Sequence, residues 1–461
     1  MCSRPRLIIA GMRGGSGKTT VTLSVIAGLR ALGRSVSPFK KGPDYIDAGW
    51  LSVAADAPCY TLDPFLIPRD ALLDSFVRHH VHDIAVIEGN RGLHDGKDVQ
   101  GSCSTAEVAK LLNCPVVLVV DCTKMTRTAA ALVFGCMKFD ESVQVKGVVL
   151  NQVSSNRHAT IIRDSIEYYC GIPVVGVIPR MKAGEMPERH MGLIPHQEHG
   201  DVARALARAR EIARRHLDLP RLLEMARAAG NLSVHGKMLR EEQPPKVSLG
   251  IRIGVLKDAA FQFYYLENLE ELVRLGAEIV EIDALSASGL GAVDALYIGG
   301  GFPETNALRL AENGSFRASV KAAADNGLPV YAECGGLMFL GEAIVADGVH
   351  HPMAGVFPMT FVMHKKPQAH GYSIAVAEGQ NPFYEPGTTL NGHEFHYSSV
   401  VEFRPADGIS FAFRMERGEG IFNKQDGICY KNVLATYTHI HALGAPQWAE
   451  GMIRKAKEYH G

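Results

Sequence analysis

Two groups of residues in this chain have the types and spacing for chemistry, and they lie in opposite halves of it. The first is GMRGGSGKTT at positions 11–20, which follows the apolar run RLIIAG and leads into VTLSVIAGLRALG. A strand, a glycine loop and a helix in that order form a phosphate cradle, because glycines let the backbone turn its N–H groups onto phosphate oxygens at the positive end of a helix. Gly11, Gly14, Gly15, Ser16, Gly17 and Thr20 would shape that cradle. Lys18 would reach the β- and γ-phosphates, and the Thr19 hydroxyl would hold Mg2+. Two acidic clusters follow, FKKGPDYIDAGW at 39–50 and IEGNRGLHDG at 87–96, the second directly after an apolar strand. Asp44, Asp47 and Glu88 are the candidates to share Mg2+ and to orient a substrate carboxylate, with Lys40 or Lys41 neutralising a phosphoryl group in transfer.

The second group centres on Cys334 in LPVYAECGGLMFLGEA, which reads as a buried strand, a sharp glycine turn and a helix. That is a nucleophile elbow with sulfur in place of oxygen, and a helix N-terminus is expected to lower the thiol pKa. The N–H of Gly335, with those around Gly300 and Gly301 in YIGGGFPE, would make an oxyanion hole. ATYTHIHA supplies His439 as the base, with His441 on the same side of an extended strand. His393 and His396 in NGHEFHYS lack the HExxH spacing that puts two histidines on one helical face, so strand or loop packing is expected of them. His79–His80 and His350–His351 read as surface loops.

The elements that position these residues follow from length and pattern. At 461 residues, 46% of them hydrophobic, the chain is long enough for two cores. Its 48 basic and 49 acidic residues nearly cancel, which gives no field toward nucleic acid or an anionic membrane and favours a small-molecule partner. Nine scattered cysteines without a CxxC argue against a disulfide framework or structural zinc. No apolar run approaches the roughly 18 to 20 residues of a membrane span, so a soluble, cytoplasmic protein is expected. RLIIAG, IAVIEG, PVVLVVD, VKGVVLN and PVVGVIP read as strands of a parallel sheet covered by helices, and residues 201–230 as an amphipathic helical stretch with a solvated arginine face. The polar, Pro-Pro-containing segment 235–249 reads as a linker between domains at 1–234 and 250–461. A second α/β series comprises IRIGVLKD, DALYIGGG, LPVYAECGG and NVLATYTHIHA.

Taken together, GPDYID, LDPF, EGNRGLHDG, STAEVAKLL, PERHMGLIP, DAAFQFYYLENLE, GGGFPE, AECGGLMFL, GHEFHYS and TYTHIH resemble, in order and over essentially the whole chain, the cobyrinic acid a,c-diamide synthase family. The glycine loop, whose Gly11 lies one position earlier than in GxxxxGK[ST], resembles the variant of dethiobiotin synthetase-like and partition-type ATPases. The resemblance implies an α/β fold of two domains: a P-loop NTPase-type parallel sheet with flanking helices, then a flavodoxin-like class I glutamine amidotransferase domain. It further implies an ATP- and Mg2+-dependent carbon–nitrogen ligase. Glutamine is hydrolysed at Cys334 with help from His439, and ammonia displaces phosphate from an acyl phosphate on a tetrapyrrole carboxylate. Asn151 looks like the residue that recognises adenine. The family lacks the usual acidic third member beside its histidine, and this chain reads His439-Ile440-His441 where many class I domains read His-x-Glu. Arg13, Lys41, Arg91 and His94 depart from familiar members and would add cationic groups around the acceptor, which keeps sirohaem, sirohydrochlorin and its nickel form open beside cobyrinic acid. A partition-type ATPase switch is the reading from another class, cobyric acid synthase a second enzymatic one, and a homodimer the assembly to expect.

Overall fold

The computed structural model describes residues 4–181, 201–232 and 249–461, and between 181 and 201 only the backbone of Glu188–Arg189 and Gly192–Leu193. The chain divides into two compact units, Met1–Arg240 and Glu241–Gly461. All of the linker expected at 235–249 except Leu249, and most of PERHMGLIP, lie outside the described residues.

The first unit alternates strands and helices: β1 (Arg6–Gly11), α1 (Lys18–Ala31), β2 (Val36–Lys40), α2 (Tyr45–Ala55), β3 (Tyr60–Thr61), α3 (Arg69–His79), β4 (Ile84–Gly92) and α4 (Thr105–Leu111). It continues through β5 (Val116–Asp121), α5 (Thr128–Phe139), β6 (Val145–Val153), α6 (Asn156–Cys170) and β7 (Val174–Pro179). A short hairpin of β8 (Glu188–Arg189) and β9 (Gly192–Leu193) precedes α7 (Val202–His216) and α8 (Leu219–Arg227). The seven-stranded sheet has the order β3-β2-β4-β1-β5-β6-β7 and its pairings are parallel. Its strands are apolar on both faces because helices cover both, as continuous Val/Ile runs require. Five strands are legible in the sequence; β2 is hidden by Ser37, Pro38 and Lys40. Proline survives inside this sheet because β3 pairs only with Phe39 and Lys40, so Pro38 has no ladder partner on that side. The arginine-rich stretch forms two helices, with Asp218 capping the second, and buries Ala205, Ala209, Ile212 and Ala213. Gly28 of α1 allows the close approach: a methyl there would lie 2.6 Å from the Ala213 Cβ.

The second unit begins with β10 (Arg252–Leu256), β11 (Phe261–Phe263), α9 (Leu266–Arg274), β12 (Glu278–Ile282), β13 (Ala295–Ile298), β14 (Gly300–Gly301), α10 (Ala307–Glu312), α11 (Gly314–Asp325), β15 (Val330–Glu333) and α12 (Gly335–Leu340). Strands β16 (Ala343–Ala346), β17 (Val349–Pro352), β18 (Met359–Met363), β19 (Ala369–Ala377), β20 (Thr389–His396), β21 (Ser398–Phe403), β22 (Ile409–Arg417), β23 (Gln425–Tyr430), β24 (Val433–Thr436) and β25 (His439–Ile440) follow, and α13 (Pro446–His460) closes the unit. Its large sheet runs β12-β10-β13-β15-β24-β23-β22-β19-β20-β25. The first five strands are parallel and carry the flavodoxin order 2-1-3-4-5, counted along their own sequence. From β24 onward the sheet continues antiparallel, and β17-β16-β18-β21 form a separate sheet; neither is legible as a repeat of α/β units. The antiparallel return matters, because it brings β20 beside β25 and so packs the GHEFHYS segment against the THIH segment.

Candidate functional site

In the first unit, β1 ends at Gly11 between β4 and β5, where the order of connections reverses and α/β sheets bind ligands. A methyl on Gly11 would sit 2.3 Å from the Ser16 hydroxyl, which itself donates to the Arg13 carbonyl at 3.0 Å. Gly17 adopts φ +88°, the left-handed region that favours glycine, and starts α1. Lys18 folds back over the loop and donates to the Arg13 carbonyl at 3.3 Å; burial, then the neighbouring Lys40, lower its pKa. The Asn151 amide donates to the Ser16 carbonyl at 3.0 Å, while its oxygen is buried with no hydrogen-bond partner among the described residues.

Beyond the loop the three acidic candidates converge on Lys40. Its ammonium lies 2.8 Å from Asp47 and 2.9 Å from Glu88, and the Thr19 hydroxyl donates to Glu88 at 2.8 Å. Burial works against each of these charges, and the partners decide the outcome. Asp47 and Glu88 outweigh burial and hold Lys40 well above its ordinary range, and Lys40 holds Asp47 below the carboxylate range. Glu88, with no exposed surface, is pushed by burial to about 7 despite Lys40. Asp44 caps α2 by accepting the Asp47 N–H at 3.0 Å, and burial followed by the Asp47 charge pushes it to about 6. The donors Thr19, Asp47 and Glu88 are all oxygen, and Glu88 Oε2 is buried with no hydrogen-bond partner among the described residues, which fits a hard cation. Among the described residues no cluster of three or more His, Cys, Asp or Glu could hold a metal unaided, as expected where phosphates supply the remaining ligands.

The extra cationic groups expected at the acceptor are largely committed elsewhere. Arg13 pairs with Asp121 at 2.7 Å, Lys41 with buried Asp63 at 3.6 Å, and His94 contacts the Cys136 carbonyl at 3.0 Å. Arg91 is exposed, with φ 49°.

In the second unit Cys334 sits between β15 and α12 with φ 48° and ψ −96°, a strained conformation of the kind a nucleophile elbow stores. The three glycines expected around it do come together. A methyl on Gly335 would lie 3.0 Å from the Gly301 nitrogen, and one on Gly300 would lie 2.5 Å from His439 Cε1 and 3.3 Å from its Nε2. The thiol differs from expectation. Burial, then the nearby Glu304, push its pKa up rather than down, and the Gly335 N–H opposes them only in part. α12 has six residues, too few to set up a strong opposing dipole.

His439 pairs across strands with His393, and their ring centroids lie 4.8 Å apart. Its Nδ1 is 3.2 Å from Glu333 Oε2. The expectation of a histidine without an acidic companion is therefore corrected: position 441 is histidine, but a carboxylate reaches His439 from the residue before the nucleophile. The sequence signal was a lone charge closing the apolar strand LPVYAE. Asp426 is a second missed residue. It accepts from the Thr436 and Thr438 hydroxyls at 2.6 and 3.0 Å and from the Tyr437 N–H at 3.0 Å, fixing the turn that delivers His439. His441 points to Glu267, 3.5 Å away. His393 and His396 pack within β20 as expected, the first bonded to the Tyr265 hydroxyl at 2.7 Å and the second stacked on Tyr437 at 3.6 Å. His79 instead ends α3, His80 is buried, and His350 and His351 lie on β17, so neither pair forms the surface loop expected.

Two family models match the chain. The CobQ/CobB/MinD/ParA nucleotide binding domain covers residues 7–194, and the CobB/CobQ-like glutamine amidotransferase domain covers residues 252–447. Among curated relatives, the cobyrinate a,c-diamide synthase of Magnetococcus marinus is 41% identical, covering 98% of this chain and 97% of its own. Those of Archaeoglobus fulgidus and Listeria innocua are 40% and 37% identical, covering 98% and 96% of this chain and 97% of each relative. With both domains matched and this likeness running over nearly the full length, the chain belongs to the cobyrinate a,c-diamide synthase family.

Proposed function

We propose that this protein is a cytoplasmic cobyrinate a,c-diamide synthase that amidates the a and c carboxylates of cobyrinic acid with glutamine-derived ammonia, using ATP. The observation that carries the reading is the presence in one chain of a P-loop against the Lys40–Asp47–Glu88 cluster and a strained Cys334 whose neighbour Gly335 abuts the Gly301 nitrogen, with Gly300 against His439.

At the thiol site, Cys334 loses its proton to His439 Nε2 as sulfur attacks the glutamine amide carbon. The raised thiol pKa means the proton leaves during attack rather than before it. The N–H groups of Gly335 and the Gly300–Gly301 segment hold the oxyanion. His439 then returns the proton to the departing nitrogen, ammonia leaves, and water hydrolyses the thioester to glutamate. At the P-loop site, a substrate carboxylate oxygen attacks the γ-phosphorus of ATP and the bond to ADP breaks, leaving an acyl phosphate. Ammonia attacks the acyl carbon, phosphate departs, and the nitrogen sheds a proton to give the amide. Lys18 and Lys40 offset charge on the phosphoryl oxygens, and Asn151 offers its buried oxygen toward the base. Thr19, Asp47 and Glu88 would hold Mg2+, which supplies charge neutralisation on the phosphates when bound. The likeness over nearly the full length to cobyrinate a,c-diamide synthases favours cobyrinic acid as the macrocycle.

Cys334→Ala tests the reading. Glutamine-dependent amidation of cobyrinic acid, followed by mass change per amide, should be lost while amidation with ammonium salts survives. Unchanged glutamine use would remove Cys334 from the mechanism, and amidation of sirohaem in preference to cobyrinic acid would overturn the substrate.

A further inference from the structure

We propose that Glu333 is the positioning residue that fixes the tautomer and orientation of His439, an acid supplied by the strand that carries the nucleophile instead of the strand that carries the base. The proposal rests on the glutaminase reading of the Cys334 site.

Glu333 is 1% exposed and His439 2%. The two carboxylate oxygens have separate work. Oε1 accepts the Ile440 N–H at 3.3 Å, and Oε2 accepts the Tyr297 hydroxyl at 3.2 Å and faces His439 Nδ1 at 3.2 Å. An ionised carboxylate only accepts, so Nδ1 carries the proton and Nε2, on the Gly300 side of the ring, keeps the lone pair needed to take a proton from sulfur. The direction of the network is set one step further back. The Asn268 amide nitrogen donates to the Tyr297 oxygen at 3.2 Å and to the Ile440 carbonyl at 3.1 Å, while its oxygen accepts the Ala442 N–H at 2.7 Å. Tyr297 has its oxygen occupied as an acceptor and turns its own proton onto Glu333. α9, β13, β15 and β25 thus each contribute one member to a buried chain that ends on the imidazole.

The placement of Glu333 next to Cys334 is made workable by the strained turn. A regular strand would send consecutive side chains to opposite faces; φ 48° at Cys334 takes the sulfur out of that alternation and onto the helix turn. The groups facing His439 are Glu333 from β15, His393 and His396 from β20, and Gly300 of β14.

Glu333→Gln sets an N–H either against the Ile440 N–H or against the Tyr297 hydroxyl and His439 Nδ1; the second arrangement favours the wrong His439 tautomer, and in both the histidine loses its anionic partner. In the full-length protein, glutamate release should show kcat reduced by about 1,000-fold or more with KM changed by less than about threefold. Glu333→Asp, which keeps a carboxylate toward Nδ1, should recover part of kcat. A lesion of packing alone would be worse in the shorter Asp than in the isosteric Gln. Wild-type hydrolysis with Glu333→Gln equally active, or with Glu333→Asp no better than Glu333→Gln, overturns the role of Glu333 alone. A wild type that hydrolyses no glutamine overturns the functional reading as well. Should Glu333→Gln not fold, 15N-histidine spectra of the wild type decide the matter. The resonance pair lost in His439→Gln should report a protonated Nδ1 and a bare Nε2, and the opposite tautomer overturns the proposal.

Discussion

Lys40 and Glu88 set the electrostatics of the first site in opposite ways, because carboxylate partners keep buried Lys40 charged while burial lifts Glu88 toward its neutral form. Glu88 titrates near 7, raised by burial, so below that pH it carries a proton and loses the charge a cation needs. Apparent Mg2+ affinity in ATP-dependent amidation should therefore rise as pH climbs through 7, measured by Mg2+ titration at fixed ATP, and a flat response would remove Glu88 from the metal site. Glu88→Gln should lower amidation by about 100-fold or more with either nitrogen source, since a preorganised charge is worth a few kcal/mol at the transition state. That Lys18, Lys40 and Glu88 lie together was readable because each stands in a short motif at a strand end. Glu333 was not readable as a partner of His439. A search for an acid two residues after the histidine looks along one strand, and the contact is made across the sheet, from β15 to β25.

At the scale of elements, glycines stand where a neighbouring group leaves little room for a side chain. A methyl at Gly335 meets the Gly301 nitrogen at 3.0 Å, so Gly335→Ala should push apart two of the N–H groups of the oxyanion hole. Glutamine hydrolysis should fall by about 100-fold, as expected for loss of one donor, with amidation from ammonia unchanged. Gly28→Leu, which overpacks the contact of α1 with α7, should cost about 1–3 kcal/mol in the first unit, seen as a lower unfolding midpoint. Parallel strands were legible wherever both faces are apolar, as in β4, β5 and β6. β2 escaped because Pro38 and Ser37 interrupt its pattern and only the short β3 reveals why that is tolerated. The antiparallel strands β19, β20 and β22 escaped for another reason: their alternation of buried and half-exposed residues carries little periodic signal against a mixed sheet.

For the molecule as a whole, the division into two compact units, with the two proposed sites one in each, predicts a double dissociation. Lys18→Ala should abolish amidation with both glutamine and ammonia while leaving glutamine hydrolysis measurable. Cys334→Ala should do the reverse for the nitrogen source. A variant at either site that silences both reactions to the same degree would argue that the two are one catalytic centre.

The ammonium of Lys40, bridging Asp47 and Glu88 with only 2% of its surface exposed, balances their charge from within the chain. It is an internal counter-ion, and two buried carboxylates without it would repel each other strongly. Lys40→Met should accordingly turn magnesium from an aid to catalysis into a condition of folding. The unfolding midpoint of that variant should climb steeply with added Mg2+ in the absence of nucleotide, while the midpoint of the unaltered protein stays nearly level. In the unaltered protein the charge balance supplied by Lys40 should leave folding nearly indifferent to magnesium.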